Sequence, residues 1–385
     1  MKKLMSVAGV AALTALPVFA EPVKIGVITT LSGPGGYLGE QIREGLQLAI
    51  DQEGGMLGGV EVELVVEDDG LKPGNGLQIA DKFLNEEGIK LITGIIFSNV
   101  AGATVPEVVD SGAIYISPNA APSNMAGKGC DENYFVVSWQ NDSLHEASGA
   151  AANSLGYKKV MALAPNYQAG KDAIAGFKRL FEGEVTEIYT QLEQTDFAPE
   201  MAQIRAAAPD AVFQFHPGGM GIAFLKQYIQ SGLSADTPMV VSEPSADAVI
   251  LKAVGDGAIG LKATSHWNYD FDNEANKAMV AAWNEKHPDL PLTPYGQQAY
   301  DVGLLIASAL KKTGGLEDMD AFRAALKEAD FTSTRGDFSF GPNQHPVQDW
   351  FMVDIVEGPD GYPVWVTKEQ IRDDVGDVYA AECKM

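Results

Sequence analysis

Apolar residues fall in short runs separated by stretches of helical period along nearly the whole chain. A run over 23–29 gives way to the turn Ser32-Gly33-Pro34-Gly35-Gly36 and then to an amphipathic helix predicted over 39–52. The unit recurs, with strands expected over 60–67, 90–94 and 113–116 and helices over 76–85 and 101–111. Strands apolar along their length, alternating with helices, imply a parallel sheet covered on both faces. The loops at the strand ends are rich in Gly, Ser, Pro and Asp, and in open α/β sheets such loops at the carboxyl ends of strands bind ligands.

A second run mirrors the first. A strand over 159–163, a turn over 165–170 and a helix over 171–181 are followed by strands over 185–190, 211–215 and 239–241, with helices over 199–207 and 219–232. Residues 136–141 read as a segment crossing between the two copies. Later pieces, helical over 272–285 and 295–313 and strand-like from 338 onward, lack a strand–helix series of their own, so they are expected to complete the two copies. The fold class is therefore α/β, with two Rossmann-like lobes. The division expected is 21–140 with 268–344 as the N-terminal lobe and 141–267 with 345–385 as the C-terminal lobe. Several crossings between two lobes make a hinge, and a hinge permits a cleft to close.

The N-terminus reads differently. Lys2 and Lys3 precede an uncharged apolar run ending in Val18-Phe19-Ala20, which is the pattern of a secretory signal peptide cleaved after Ala20. The run is short for a membrane span, so a periplasmic protein is expected. The 385 residues suit two domains, and the net charge of −25 repels phosphate backbones, which argues against nucleic-acid binding. Cys130 and Cys383 are the two cysteines; in an oxidising compartment they form either a disulfide, the expectation here, or two free thiols.

Familiar catalytic constellations are absent from the sequence. The five histidines show no metal-ligand spacing, Pro34 breaks a dinucleotide loop, and no Walker lysine or nucleophile elbow occurs. No metal, no cofactor and no enzymatic activity are expected. Asp68 and Asp69, adjacent on a strand, point to opposite faces and suit loop bonding better than acid–base work.

Lys24-Ile25-Gly26-Val27, Leu31-Ser32-Gly33-Pro34, Val66-Glu67-Asp68-Asp69, Ile116-Ser117-Pro118 and Gln230-Ser231-Gly232-Leu233 together resemble the periplasmic leucine/isoleucine/valine-binding protein family, in the same order over nearly the whole mature chain. The resemblance implies a type I periplasmic binding fold, three crossings, a ligand buried by hinge closure, and a monomer delivering it to an ABC permease. It places a carboxylate-binding serine at Ser98, further contacts at Asn119 and Ala121, and an acidic anchor for a ligand ammonium at Glu243. Ala121 stands where amino-acid binders carry a threonine and offers only its backbone N–H. Ser98 in this position serves equally as a helix N-cap.

Aromatic and imidazole side chains at strand ends or cleft loops, Tyr37, Phe97, Tyr167, Phe215, His216 and Tyr295, suit a slot for a planar or apolar body, though such residues also fill cores. The segment from Phe215 to Gly221 is similar to family members that bind aromatic acids. Two ligand classes stay open at this point: a hydrophobic or branched-chain amino acid, and an aromatic acid. An exported sensor feeding a membrane receptor and a periplasmic hydrolase are the competing functions.

Overall fold

The computed structural model describes residues 21–385; the expected signal peptide and its cleavage after Ala20 lie outside the described residues. The first sheet comprises β1 (Val23–Thr29), β2 (Met56–Leu57), β3 (Val60–Asp68), β4 (Leu91–Thr93), β5 (Ile114–Ser117) and β6 (Tyr134–Val136), in the order β2-β3-β1-β4-β5-β6. All its pairings are parallel except the short β2–β3 hairpin. Crossovers α1 (Gly36–Gln52), α2 (Pro73–Asp81) and α3 (Ser98–Asp110) cover it. Every residue of β4, β5 and β6 is buried, as expected for strands with helices on both faces.

The second sheet follows the order β12-β13-β11-β10-β9-β7-β8, with an outer strand on β13. Its parallel part is β7 (Lys159–Pro165), β8 (Glu184–Thr190), β9 (Ala211–Gln214), β10 (Met239–Ser242) and β11 (Lys262–Ser265), linked by α5 (Gln168–Leu180), α6 (Ala198–Ala207), α7 (Gly219–Gln230) and α8 (Ala248–Val254). The antiparallel edge is β12 (Ser339–Phe340), β13 (Pro346–Glu357) and β14 (Pro363–Val375). The helix α4 (Asn141–Ser154) packs against this sheet and α5.

Late elements return to the first sheet. The helices α9 (Glu274–Lys286), α10 (Pro294–Thr313) and α11 (Met319–Lys327) share its core through Trp283, Tyr295, Leu305 and Phe322. Helix α10 lies so close to α1 that a Cβ on Gly45 would fall 2.2 Å from the Gly296 carbonyl oxygen, so only glycine fits there. The chain passes between the two sheets after β6, after β11 and after α11. Type I periplasmic binding proteins share this plan, two α/β lobes with parallel sheets flanked by helices.

One arginine ties the crossings together. Arg335 Nη1 donates to the Val137 carbonyl (2.7 Å), the Ser138 carbonyl (3.1 Å) and Gln348 Oε1 (2.7 Å), while its guanidinium pairs with Asp301 at 3.2 Å. Asp301 also accepts from Gln297, Ser333 and Thr334. A buried guanidinium is tolerated only with partners of this kind. Asp68 and Asp69 hold the loops after β1 and β3: Asp68 accepts from the Leu31 and Gly70 N–H groups, and Asp69 from the Thr30 hydroxyl and the Leu71 N–H.

Candidate functional site

The two lobes meet closely through their loops. A Cβ on Gly219, at the start of α7, would lie 2.6 Å from Pro34 in the first-lobe turn, so the loops pack directly. Tyr37 on α1 donates to Asp247 Oδ2 at 2.7 Å across the same boundary. Asp247 also caps α8, accepting from the Val249 and Ile250 N–H groups, and burial pushes its carboxyl up to about 6.

Between the lobes lies a small cavity of about 20 Å³, room for about one water molecule with the lobes this close. Three helices begin at its wall: α3 with Ser98, α4 with Asn141, Leu144 and His145, and α5 with Tyr167 at its N-cap and Ala169 in its first turn. Helix starts present N–H groups without intrahelical partners and the positive end of the helix dipole, which together suit an anion. Among the described residues, no Asp, Glu, Lys or Arg side chain lines the cavity.

The helix starts are held in register by one amide. Asn141 Oδ1 accepts from the Ala121 N–H at 3.2 Å, and Asn141 Nδ2 donates to Ser98 Oγ at 3.1 Å and to Asp172 Oδ2 at 2.9 Å. Since Ser98 Oγ accepts from Asn141, its own proton is free to donate into the cavity. The helix begins at Ser98 itself, with Phe97 as N-cap and no side-chain cap bond, so the capping role open to this serine is not the one it plays. Asp172 also accepts from the Ser123 hydroxyl and N–H and from Gln168, and burial raises its pKa.

Aromatic rings supply the walls. Phe97 of the first lobe and Tyr167 of the second face each other with centroids 6.5 Å apart, and Trp139, Phe215 and Tyr295 line the same space. Burial, with the nearby Asp172 charge, pushes the Tyr167 hydroxyl up, so it stays protonated.

Of the residues singled out from sequence, Phe97, Ser98, Asn119, Tyr167, Phe215 and Tyr295 line this cavity and the other four are placed elsewhere. Ala121 lies one layer behind, its N–H taken by Asn141. Tyr37 spends its hydroxyl on Asp247 at the lobe boundary. His216 turns into the second-lobe core, where it bonds Thr190 (3.0 Å) and Gln214 (2.8 Å) and stacks on Phe224. Glu243 is fully buried and held by the Ser265 hydroxyl, the His266 ring at 3.0 Å and Gln298 at 3.5 Å, and it is not among the residues lining the cavity. Cys130 and Cys383 are joined in a disulfide.

Sequence reasoning missed Trp139, Asn141, Leu144 and His145, all on or just before α4. The available signal was Gln140-Asn141-Asp142-Ser143, a cluster of capping residues; Gln140 Oε1 does accept from the Ser143 N–H. Among the described residues, no group of three or more His, Cys, Asp or Glu side chains is placed to hold a metal ion.

Known proteins resemble this chain along its length. The curated Leu/Ile/Val-binding protein homolog 6 of Brucella melitensis is 28% identical over 377 residues, covering 94% of this chain and 95% of that one. An ABC transporter solute-binding protein of R. palustris, solved in complex with benzoate, is 30% identical with a TM-score of 0.89, covering 94% of this chain and 100% of that one. A second, from Rhodopseudomonas palustris BisB5 in complex with 3,4-dihydroxybenzoic acid, is 28% identical with a TM-score of 0.87, covering 93% and 99%. The family described as "Periplasmic binding protein" matches residues 22–360, and this chain belongs to that family of binding proteins, which are not enzymes.

Proposed function

We propose that this protein captures an aromatic carboxylate between its two lobes and presents the closed, loaded form to the permease of an ABC importer. The observation that carries this reading is the cavity lining. Neutral donors at three helix starts meet a carboxylate, aromatic rings flank a planar body, and no acidic side chain is at hand for an ammonium. Binding a carboxylate without a formal positive charge keeps release feasible at the membrane. The benzoate and dihydroxybenzoate complexes of the two R. palustris proteins support the same class of ligand.

The moving bodies in this reading are 21–140 with 268–327 and 141–267 with 339–385, the boundary expected at 344 moving back because β12 joins the second sheet, and they turn about the crossings near Arg335. The protein works as a periplasmic monomer after residues 1–20 are removed.

Calorimetric titration of residues 21–385 with benzoate, hydroxybenzoates, leucine and valine tests the ligand class. The aromatic acids are expected to bind and to raise the Tm by mass action on the closed form. Binding of leucine or valine with no response to any aromatic acid overturns the reading. Scattering curves with and without ligand test the closure through a fall in radius of gyration.

A further inference from the structure

The cavity lining holds two buried polar atoms that nothing in the protein satisfies. Asn119 Nδ2 donates to the Ile96 carbonyl at 2.7 Å, which fixes the orientation of the amide, since a flip would set two oxygens against each other. Its Oδ1 is left buried without a partner. His145 sits one helical turn beyond Asn141 on α4, edge-on to Phe213 (5.8 Å) and Phe215 (4.8 Å), and its Nδ1 is likewise buried and unpaired. Burial pushes the imidazole pKa down to about 3, so the ring is neutral and is not a counter-ion; it presents one donor and one acceptor.

A carboxylate accepts hydrogen bonds and has none to donate, so it leaves Asn119 Oδ1 as it was. The aromatic neighbours of His145 offer no lone pair in the plane of its ring. A buried polar group without a partner is costly, and a site of this kind discriminates against ligands that leave it bare. We infer that Asn119 and His145 select an aromatic acid bearing a ring hydroxyl, remote from the carboxylate, over the unsubstituted acid. The hydroxyl donates to an acceptor in the lining and accepts from the imidazole N–H.

This inference rests on the aromatic-carboxylate reading and is tested so that the two fail separately. Titrations of residues 21–385 with benzoate, 3-hydroxybenzoate and 4-hydroxybenzoate compare the wild type with His145→Leu and His145→Gln. The wild type is expected to bind at least one hydroxybenzoate roughly ten- to a hundredfold more tightly than benzoate. His145→Leu, which removes both ring nitrogens, is expected to erase most of that preference, the hydroxybenzoate losing more affinity than benzoate does. His145→Gln, which keeps a donor and an acceptor, is expected to restore part of it. Equal affinity of the wild type for plain and hydroxylated acids overturns the inference while leaving the aromatic-carboxylate reading intact, as does an equal loss for both acids in His145→Leu. Binding of none of the three acids removes both. Should His145→Leu unfold, the wild-type series and His145→Gln still decide.

Discussion

Around Arg335 the protein buries a full ion pair and surrounds it with its own polar groups, only Nη2 making no hydrogen bond beyond its ion-pair contact; around Ser98 it buries only neutral donors and leaves a hydroxyl proton uncommitted. The guanidinium Nε and Nη1 and both Asp301 oxygens are met by carbonyls, amides and hydroxyls of the protein itself. Ser98 and Asn141 use all but one of their groups on each other and on the loops behind them. The difference follows from what each place must do. The crossings join the two lobes, so a strong network suits them. The cavity must let an anion enter and leave, and a fixed cation would hold it too firmly.

Breaking the closed network should give the largest effect. Arg335→Ala strands Asp301 and three carbonyl-type acceptors, and is expected to destabilise the protein by about 3–5 kcal/mol in urea unfolding. A loss below about 1 kcal/mol would show that water replaces the guanidinium and would remove the contrast. Ser98→Ala sharpens the other side. It should weaken the ligand about ten- to a hundredfold in calorimetry, because a hydrogen bond to a charged group is lost, while unliganded stability shifts by less than about 1 kcal/mol. An unchanged affinity would place the carboxylate elsewhere.

The lobe boundary lies between these extremes. The raised pKa of Asp247, about 6 against an unfolded value near 4, means that the folded state takes up a proton as the pH falls. The stability contributed is complete below about pH 4 and is lost as the pH rises through about 6. Asp247→Asn keeps the α8 cap but should flatten that part of the stability–pH curve; a parallel curve would mean that Asp247 is hydrated in solution. The smallest change is expected from Tyr37→Phe, which removes the cross-lobe bond and should weaken ligand binding about two- to tenfold with the Kd measured at pH 7.

The alternation of strand and helix was legible because most of those elements bury one continuous face or two. The strand over 23–29 and the helices ending near 52 and 313 coincide with β1, α1 and α10. Ser98 came from the family resemblance rather than from the pattern, which read a serine between an apolar strand end and a helix equally as a cap. Helix α4 was not, and most of the missing half of the site goes with it. Its sequence, Asn141-Asp142-Ser143-Leu144-His145-Glu146-Ala147-Ser148, has no apolar stripe, since it is buried all round. Its buried acids are met by Arg179 and Arg372, residues far along the chain, so nothing local distinguishes it from an exposed loop. The aromatic positions divided for a similar reason: Phe215 and His216 are neighbours on one strand end, and alternation sends the first to the cavity and the second to the core.

The Cys130–Cys383 bridge spans a sequence separation of 253 residues. As the chain is synthesised from its N-terminus, Cys130 has no cysteine of its own chain to pair with until every element of the second sheet has appeared. The ring can therefore close only after both sheets have been synthesised, and once closed it makes a cut in any one crossing insufficient to part the molecule.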